Sequence, residues 1–531
     1  AAVRLLKGPL PWSIITLATS AVVGVAIATD AALRPLILPF RYGWSIAVES
    51  FKQLPTFLVG FGPENFTSAF HRFRDVTFNT TDFWDLTFGT SSSEVLHALT
   101  TTGVLGVAAL IAFLVALLMA SRRQLKNNPS LMVFVLSYLI LFFLLPFSPL
   151  TWGVLALTAL VVMSEIRLSK GDAIKDVVLM LSAIRIVPEG GMKAVRTSAG
   201  FAYVVSAIVV ALGALSLYAA GRVYASNVAY YLSLQAANNN DAVKTYEYQQ
   251  WSIRLNPVDP LYRRTYANTN LIIAQTLSQK GEDELTDEDR QTMAELLQQS
   301  IREARNSATL DSAQTENWET IATIYSQLLD VEGAADWANA ALVQAIQTDP
   351  VAPGLRLGLA GLYRQLEQPI QAQRLIEQAI ELKPDWANSY FNYGDILEVQ
   401  EQPLLAYQAY QQTLQLLPAE SEDRAVVQEK LDALRPAAEE ALAQLQAEQE
   451  AAQQAGAEGQ GGQDGTQGQG GQAQQINTPD QPTVPDEELQ VENPPEGFEE
   501  IVNNEAPPQD ESPEPSAQPD GNIVLPEDVG I

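Results

Sequence analysis

Residues 353–386 read PGLRLGLAGLYRQLEQPIQAQRLIEQAIELKPDW, and residues 387–420 read ANSYFNYGDILEVQEQPLLAYQAYQQTLQLLPAE. Aligned with an offset of 34 residues, Ala360 falls on Gly394, Ala372 on Ala406, Ile376 on Tyr410 and Pro384 on Pro418. A fixed period of this length is one supersecondary unit repeated. Small residues recur where two helices must approach closely, large ones fill the space between them, and each unit ends at a proline that cannot continue a helix. One such pair cannot bury its apolar face alone, so at least three units are expected to stack. An earlier copy carries Trp318, Ile321, Ala322 and Tyr325, then Ala338, Leu342, Ala345 and Pro350, with about four extra residues in its turn.

This pattern resembles the tetratricopeptide (TPR) repeat. Leu359, Ala360, Tyr363, Ala372, Ile376, Ala379 and Pro384 stand at the signature positions of one repeat, and Tyr390, Tyr393, Gly394, Leu397, Ala406, Tyr410 and Pro418 at those of the next. The resemblance implies an α-solenoid over residues 222–447, with its clearest repeats at 315–352, 353–386 and 387–420. Degenerate copies are expected around Tyr230–Asp259, with Trp251 and Pro257, and around Pro260–Ser312, interrupted by an acidic insert at Gly281–Arg290. A helix over Glu420–Ala447 is expected to cap the array. Aromatic residues at signature positions read as core. The implied function is docking of a peptide or protein on the concave surface.

Upstream, the chemistry changes. Five stretches are candidates to span a bilayer: Pro11–Thr29, Thr101–Ala120, Leu131–Phe147, Leu150–Ser164 and Gly200–Gly221. Arg4 and Lys7, then Arg122, Arg123 and Lys126, then Arg167, Lys170, Lys175, Arg185, Lys193 and Arg196 all fall on one side if the N-terminus is cytoplasmic. Residues 1–221 are therefore expected to form a transmembrane helical bundle in the plasma membrane. Its outer loop is 30–100 and its cytoplasmic segment 165–199, and the repeat domain lies outside. Within the cytoplasmic segment, Ile174, Val177, Val178, Leu181 and Ile184 recur at helical spacing, as in a helix lying on the membrane surface.

The outer loop is long and aromatic. Gly60-x-Gly62-x-x-x-Phe66 is followed by His71, Arg72, Phe73 and Arg74, then by Trp84, by Ser91-Ser92-Ser93-Glu94, by His97 and by Gly103-x-x-Gly106. This order resembles the C-terminal part of the O-antigen ligase and O-antigen polymerase family, over roughly Val59–Ser164. The resemblance implies transfer of a glycan from a polyprenyl-diphosphate donor, with Arg72 or Arg74 (Arg41 less so) gripping the diphosphate through a charged fork. Ser92-Ser93 stands where the family has His-Asn, so Glu94 or the displaced His97 becomes the candidate base. Gly60, Gly62, Phe66, Trp84, Ser92 and Ser93 would line the substrate loop. The family's earlier spans would precede Ala1. Plainer roles stay open: Arg72 and Arg74 pairing with Asp75 or Asp82, His97 packing near the interface, and the aromatic residues forming a cap. A non-enzymatic membrane scaffold for envelope proteins is the competing expectation.

The formal charge of −30 is concentrated at the end of the chain, since no Lys or Arg follows Arg435. Residues 448–531, rich in Gln and Gly and then in Pro and Glu, are expected to be a disordered acidic tail. The chain has no cysteine and only two histidines, His71 and His97. Disulfides, cysteine-based zinc and thiol nucleophiles are thereby excluded, and no metal or cofactor is expected. Without a basic stripe, neither is a nucleic acid partner. The expected whole is all-α: a multi-span membrane bundle, a TPR solenoid and a disordered tail.

Overall fold

The computed structural model describes residues 36–122, 129–168, 199–281, 284–458 and 494–502. The expected first span, the helix at Asp172–Val187 and most of the tail lie outside the described residues. The chain divides into two compact units, 1–75 with 86–227, and 76–85 with 228–531.

The first unit is helical throughout its described residues. Helix α1 (Phe40–Ser50) begins directly after Pro39, and α2 (Leu54–Val59) carries Pro55 in its first turn, where a missing N–H costs nothing. A short α3 (Phe66–Phe73) buries Phe66, Ala69 and Phe70. Three helices follow, α4 (Glu94–Arg122), α5 (Pro129–Leu144) and α6 (Pro149–Leu168). They share an apolar core that includes Val107, Leu114, Leu117, Val135, Phe142, Leu155 and Val162. At the turn into α6 the Ser148 hydroxyl accepts the Thr151 N–H.

Helix α7 (Ala199–Asn238) is continuous over 40 residues. Val204, Ile208, Val209, Val210, Leu212, Leu215 and Leu217 are all exposed around its circumference, Leu217 at 76%. An apolar surface on every side is not that of a water-facing helix. Two segments among the described residues are long and apolar enough to cross a membrane, Glu94–Arg122 and Ser206–Asn238. The apolar runs at Val135–Leu144 and Pro149–Ser164 are shorter. Of the five expected spans, one lies outside the described residues, and two of the others coincide with segments that meet the length and apolarity of a span among the described residues.

The second unit is the solenoid. The end of α7 pairs with α8 (Ala242–Leu255), α9 (Pro260–Ser278) with α10 (Asp287–Leu310), and α11 (Thr315–Ser326) with α12 (Ala334–Thr348). Then α13 (Pro353–Gln365) pairs with α14 (Pro369–Leu382), and α15 (Ala387–Val399) with α16 (Pro403–Leu416). The last two pairs repeat at 34 residues, as read from the sequence. Gly394 is required by close approach, because a Cβ there would lie 2.6 Å from the Tyr410 ring. The acidic insert is shorter than expected. Thr286 and Asp289 form a reciprocal capping box, so α10 already begins at Asp287.

A long α17 (Asp423–Glu458) closes the array. Lys430 on it donates to Asp395 Oδ1 and Glu398 Oε1, each at 2.8 Å, and these acids also accept the Tyr410 hydroxyl. Burial and the two neighbouring carboxylates push the Tyr410 phenol strongly up, so it stays a donor. The helix passes the expected tail boundary at residue 448.

Two further segments belong to this unit against expectation. Residues 76–85, read as part of the membrane domain's outer loop, cluster with the solenoid. Asn79 donates to the carbonyls of Val351 (2.8 Å) and Leu382 (3.1 Å), and Lys383 Nζ donates to the Asn79 carbonyl at 2.7 Å. Residues 494–502, read as disordered, end in a short helix α18 (Phe498–Val502) packed on the array. In both cases buried aromatic side chains supply the driving force that the polar surroundings hide.

Candidate functional site

The residues singled out in the outer loop do not all come together. Gly60 and Gly103 do, back to back. Gly103, at φ +64°, breaks α4, and a Cβ on it would lie 2.5 Å from the Leu58 carbonyl. Gly60, at φ +71°, would place one 2.4 Å from the Thr101 carbonyl carbon. Only glycine tolerates both conditions. The seam is closed by the N–H of Phe61 on the Thr100 carbonyl (2.9 Å) and of Gly62 on that of Thr101 (2.8 Å).

Beside this seam the Phe66 and His97 rings lie 5.3 Å apart. Ser91 and Ser92 pack on α1, where a Cβ at Gly43 would meet both hydroxyls within 2.6 Å. The hydroxyls of Ser91, Ser92 and Ser93 and Nδ1 of His97 are buried without a hydrogen-bond partner among the described residues. Glu94 is buried, and its Oε2 accepts the Phe147 N–H at 2.8 Å, tying α4 to the turn before α6. Arg74 is buried with its guanidinium 5.5 Å from the Phe70 ring, whereas Arg72 is exposed against Phe73. His71 shares a 3.1 Å hydrogen bond with Thr87. Trp84 belongs to the other unit. It lies 5.1 Å from Trp386, with Lys383 Nζ 4.7 Å from its ring. No group of three or more potential metal ligands occurs among the described residues.

The solenoid presents a second, open site. A groove of about 650 Å³ runs along its first helices, lined by Tyr230, Arg264, Asn268, Glu316, Thr323 and Gln327 among others. A further 270 Å³ continues along it past Ser326, Leu342 and Gly358. On α11 the lining residues Glu316, Glu319, Thr320, Thr323 and Gln327 recur at helical spacing and so share one face. Arg264 donates to Gln314 at 3.0 Å and stands 4.0 Å from Glu316. Desolvation in the groove wall, with the like charges of Glu316 and Asp349, pushes the Glu319 carboxyl up to about 7, although its outer edge stays open to solvent. The groove thus combines polar side chains, acidic groups and one arginine around a concave channel. Apart from Leu342 and Tyr230, named as repeat positions, none of these residues stood out in the sequence, because the TPR signature marks the packed positions and leaves the groove face free to vary.

Helix pairs at a 34-residue period, stacked side by side and closed by a terminal helix, define a TPR solenoid, a class that binds proteins and peptides through its concave face. No family model matches the chain, and no curated protein matches it. Solved structures similar to it include MamA, at 14% identity over 36% of this chain and 91% of that one, with a TM-score of 0.28. The Pseudomonas aeruginosa pilF structure is similar at 13% identity over 40% of this chain and 90% of that one, with a TM-score of 0.30. A thermophilic TPR protein in Thermus thermophilus is similar at 16% identity over 39% of this chain and 99% of that one, again with a TM-score of 0.30.

Proposed function

We propose that this chain is a membrane-anchored scaffold whose TPR groove docks an extracytoplasmic protein or peptide, without chemistry of its own. The observation that carries this reading is the open groove between Tyr230 and Gly358, with acidic and amide side chains set among apolar ones, on a solenoid whose first helix continues a largely apolar, exposed one. Such a helix would anchor the repeat domain to a membrane. The Lys and Arg distribution supports an extracytoplasmic repeat domain in this reading. Glu316 and Glu319 favour a ligand with basic or donor-rich side chains.

A photo-cross-linking residue at Thr323, in the groove, tests this in living cells against the same residue at Asp336, on an exposed helix face away from it. One discrete cross-linked partner from Thr323 and none from Asp336 is the expected result. Equal labelling from both positions would remove the groove from the account.

A second reading rests on the seam between Gly60–Phe66 and His97–Gly103. It joins the two pieces that resemble the O-antigen ligase and polymerase family, beside buried hydroxyls without a hydrogen-bond partner among the described residues. In that reading Arg72 or Arg74 binds a polyprenyl-diphosphate-linked glycan and His97 acts near the acceptor. Glu94 is less suited, since its carboxylate already accepts a backbone N–H. Loss of glycan transfer in membranes from an Arg72→Ala/Arg74→Ala chain that inserts normally would establish it, and unchanged transfer would remove it.

A further inference from the structure

Phe498 is the sole aromatic residue after Tyr410 in a long polar, acidic stretch, and it is buried to 5% exposure. Its ring lies 5.3 Å from Trp318 and 5.8 Å from Trp337. Ile501 is buried with it and Val502 packs against the same core, so the three apolar residues fall at i, i+3 and i+4 on one helical face. The approach to the helix is shaped by Pro494 and Pro495. The Phe498 N–H donates to the Pro495 carbonyl at 3.0 Å, and Gly497 takes φ +80°.

The receiving surface is built rather than incidental. Trp318 Nε1 donates to the Ser312 carbonyl at 2.8 Å, and the Ser312 hydroxyl in turn donates to the Val502 carbonyl at 3.3 Å. Arg305 stacks on Trp337 at 3.9 Å and donates to the Tyr325 hydroxyl at 2.6 Å, which fixes the far wall. Trp318 lies two residues from Glu316, about 200° round α11, so this pocket and the groove occupy opposite faces of the same helix.

We propose that residues 494–502 are an intramolecular ligand, and that the Trp318–Trp337 pocket is a receptor site for a short acidic helix anchored by a phenylalanine. The occupant in the resting chain is its own tail. The 35 residues between Glu458 and Pro494 are the tether, and a tether of that length keeps the segment at high effective concentration. The site is independent of whatever fills the groove.

The test uses the full chain in detergent and a fluorescein-labelled peptide of residues 494–502, read by anisotropy. A Phe498→Ala/Ile501→Ala chain, whose own segment no longer competes, is expected to bind the peptide at least about tenfold more tightly than the wild type. A peptide carrying Phe498→Ala, which leaves the chain untouched, is expected not to bind. Trp337→Ala in the double-variant chain should abolish binding while Thr323 cross-linking persists. Equal binding by wild type and double variant, no binding by either, or binding that survives loss of the phenylalanine would each overturn the proposal.

Discussion

Among α8, α9 and α10 the buried polar residues include Gln249, Thr269, Asn270, Gln299 and Ser300, whereas between α13 and α14 the interior holds Leu359, Ala360, Leu362, Ala372, Ile376 and Ala379. In the first case side-chain hydrogen bonds close the interface. The hydroxyls of Tyr246 and Tyr266 both donate to Gln299 Oε1 at 3.1 Å, Gln249 donates to Thr269 at 3.0 Å, and Ser300 donates to the Ala267 carbonyl at 2.7 Å. A pair at 2.6 Å between half-buried Arg263 and buried Glu303 completes it. In the second case apolar packing dominates, with small residues at the crossing and branched ones around it, beside one buried Arg356 that donates to Gln378 at 3.2 Å. The same helix-pair geometry is reached by two chemistries. The polar one depends on every partner being present, because a buried group left unpaired costs its full desolvation.

Substitutions that remove one contact from each half sharpen this contrast. Leu359→Ala leaves a cavity in the fully buried apolar half and is expected to lower local stability by about 2–5 kcal/mol. Hydrogen exchange of α13 and α14 amides in the full chain measures it. Gln299→Ala withdraws the acceptor shared by Tyr246 and Tyr266 and is expected to cost about 1–3 kcal/mol, confined to α8–α10. If that loss spreads evenly to α13 and α14, the two halves are one cooperative unit and the contrast is only compositional.

The comparison also explains what the sequence made legible. Repeats packed by size keep a visible alternation of small and large residues, so Ala360/Gly394 and Ile376/Tyr410 announce the period. Repeats closed by amide and tyrosine networks keep no such pattern, and only their helical punctuation survived, at Pro257 and Pro260. Gly60 and Gly103 stood out in the sequence only as motif glycines, and their close backbone contact was not legible there. Trp84 was misplaced because an aromatic in a loop carries no address. Its partners Lys383 and Trp386 lie some 300 residues on, at an inter-repeat turn where nothing in the period marks them. Phe498 did carry a signal, a lone aromatic directly after the turn formers of Pro494-Pro495-Glu496-Gly497, with Ile501 and Val502 on the same helical face. Average composition hid it inside an acidic stretch.

Membrane spans sit between these cases. Length and apolarity were readable for α4 and α7, which the sequence already offered as spans at Thr101–Ala120 and Gly200–Gly221.

The central claim is that the groove docks a partner, and reversal of its charge tests that claim most directly. In cells carrying the cross-linker at Thr323, Glu316→Lys/Glu319→Lys is expected to abolish the Thr323 adduct while α-helical content and membrane insertion stay unchanged. An adduct of undiminished yield from the charge-reversed chain would contradict the account, since the partner would then be held by something other than the groove.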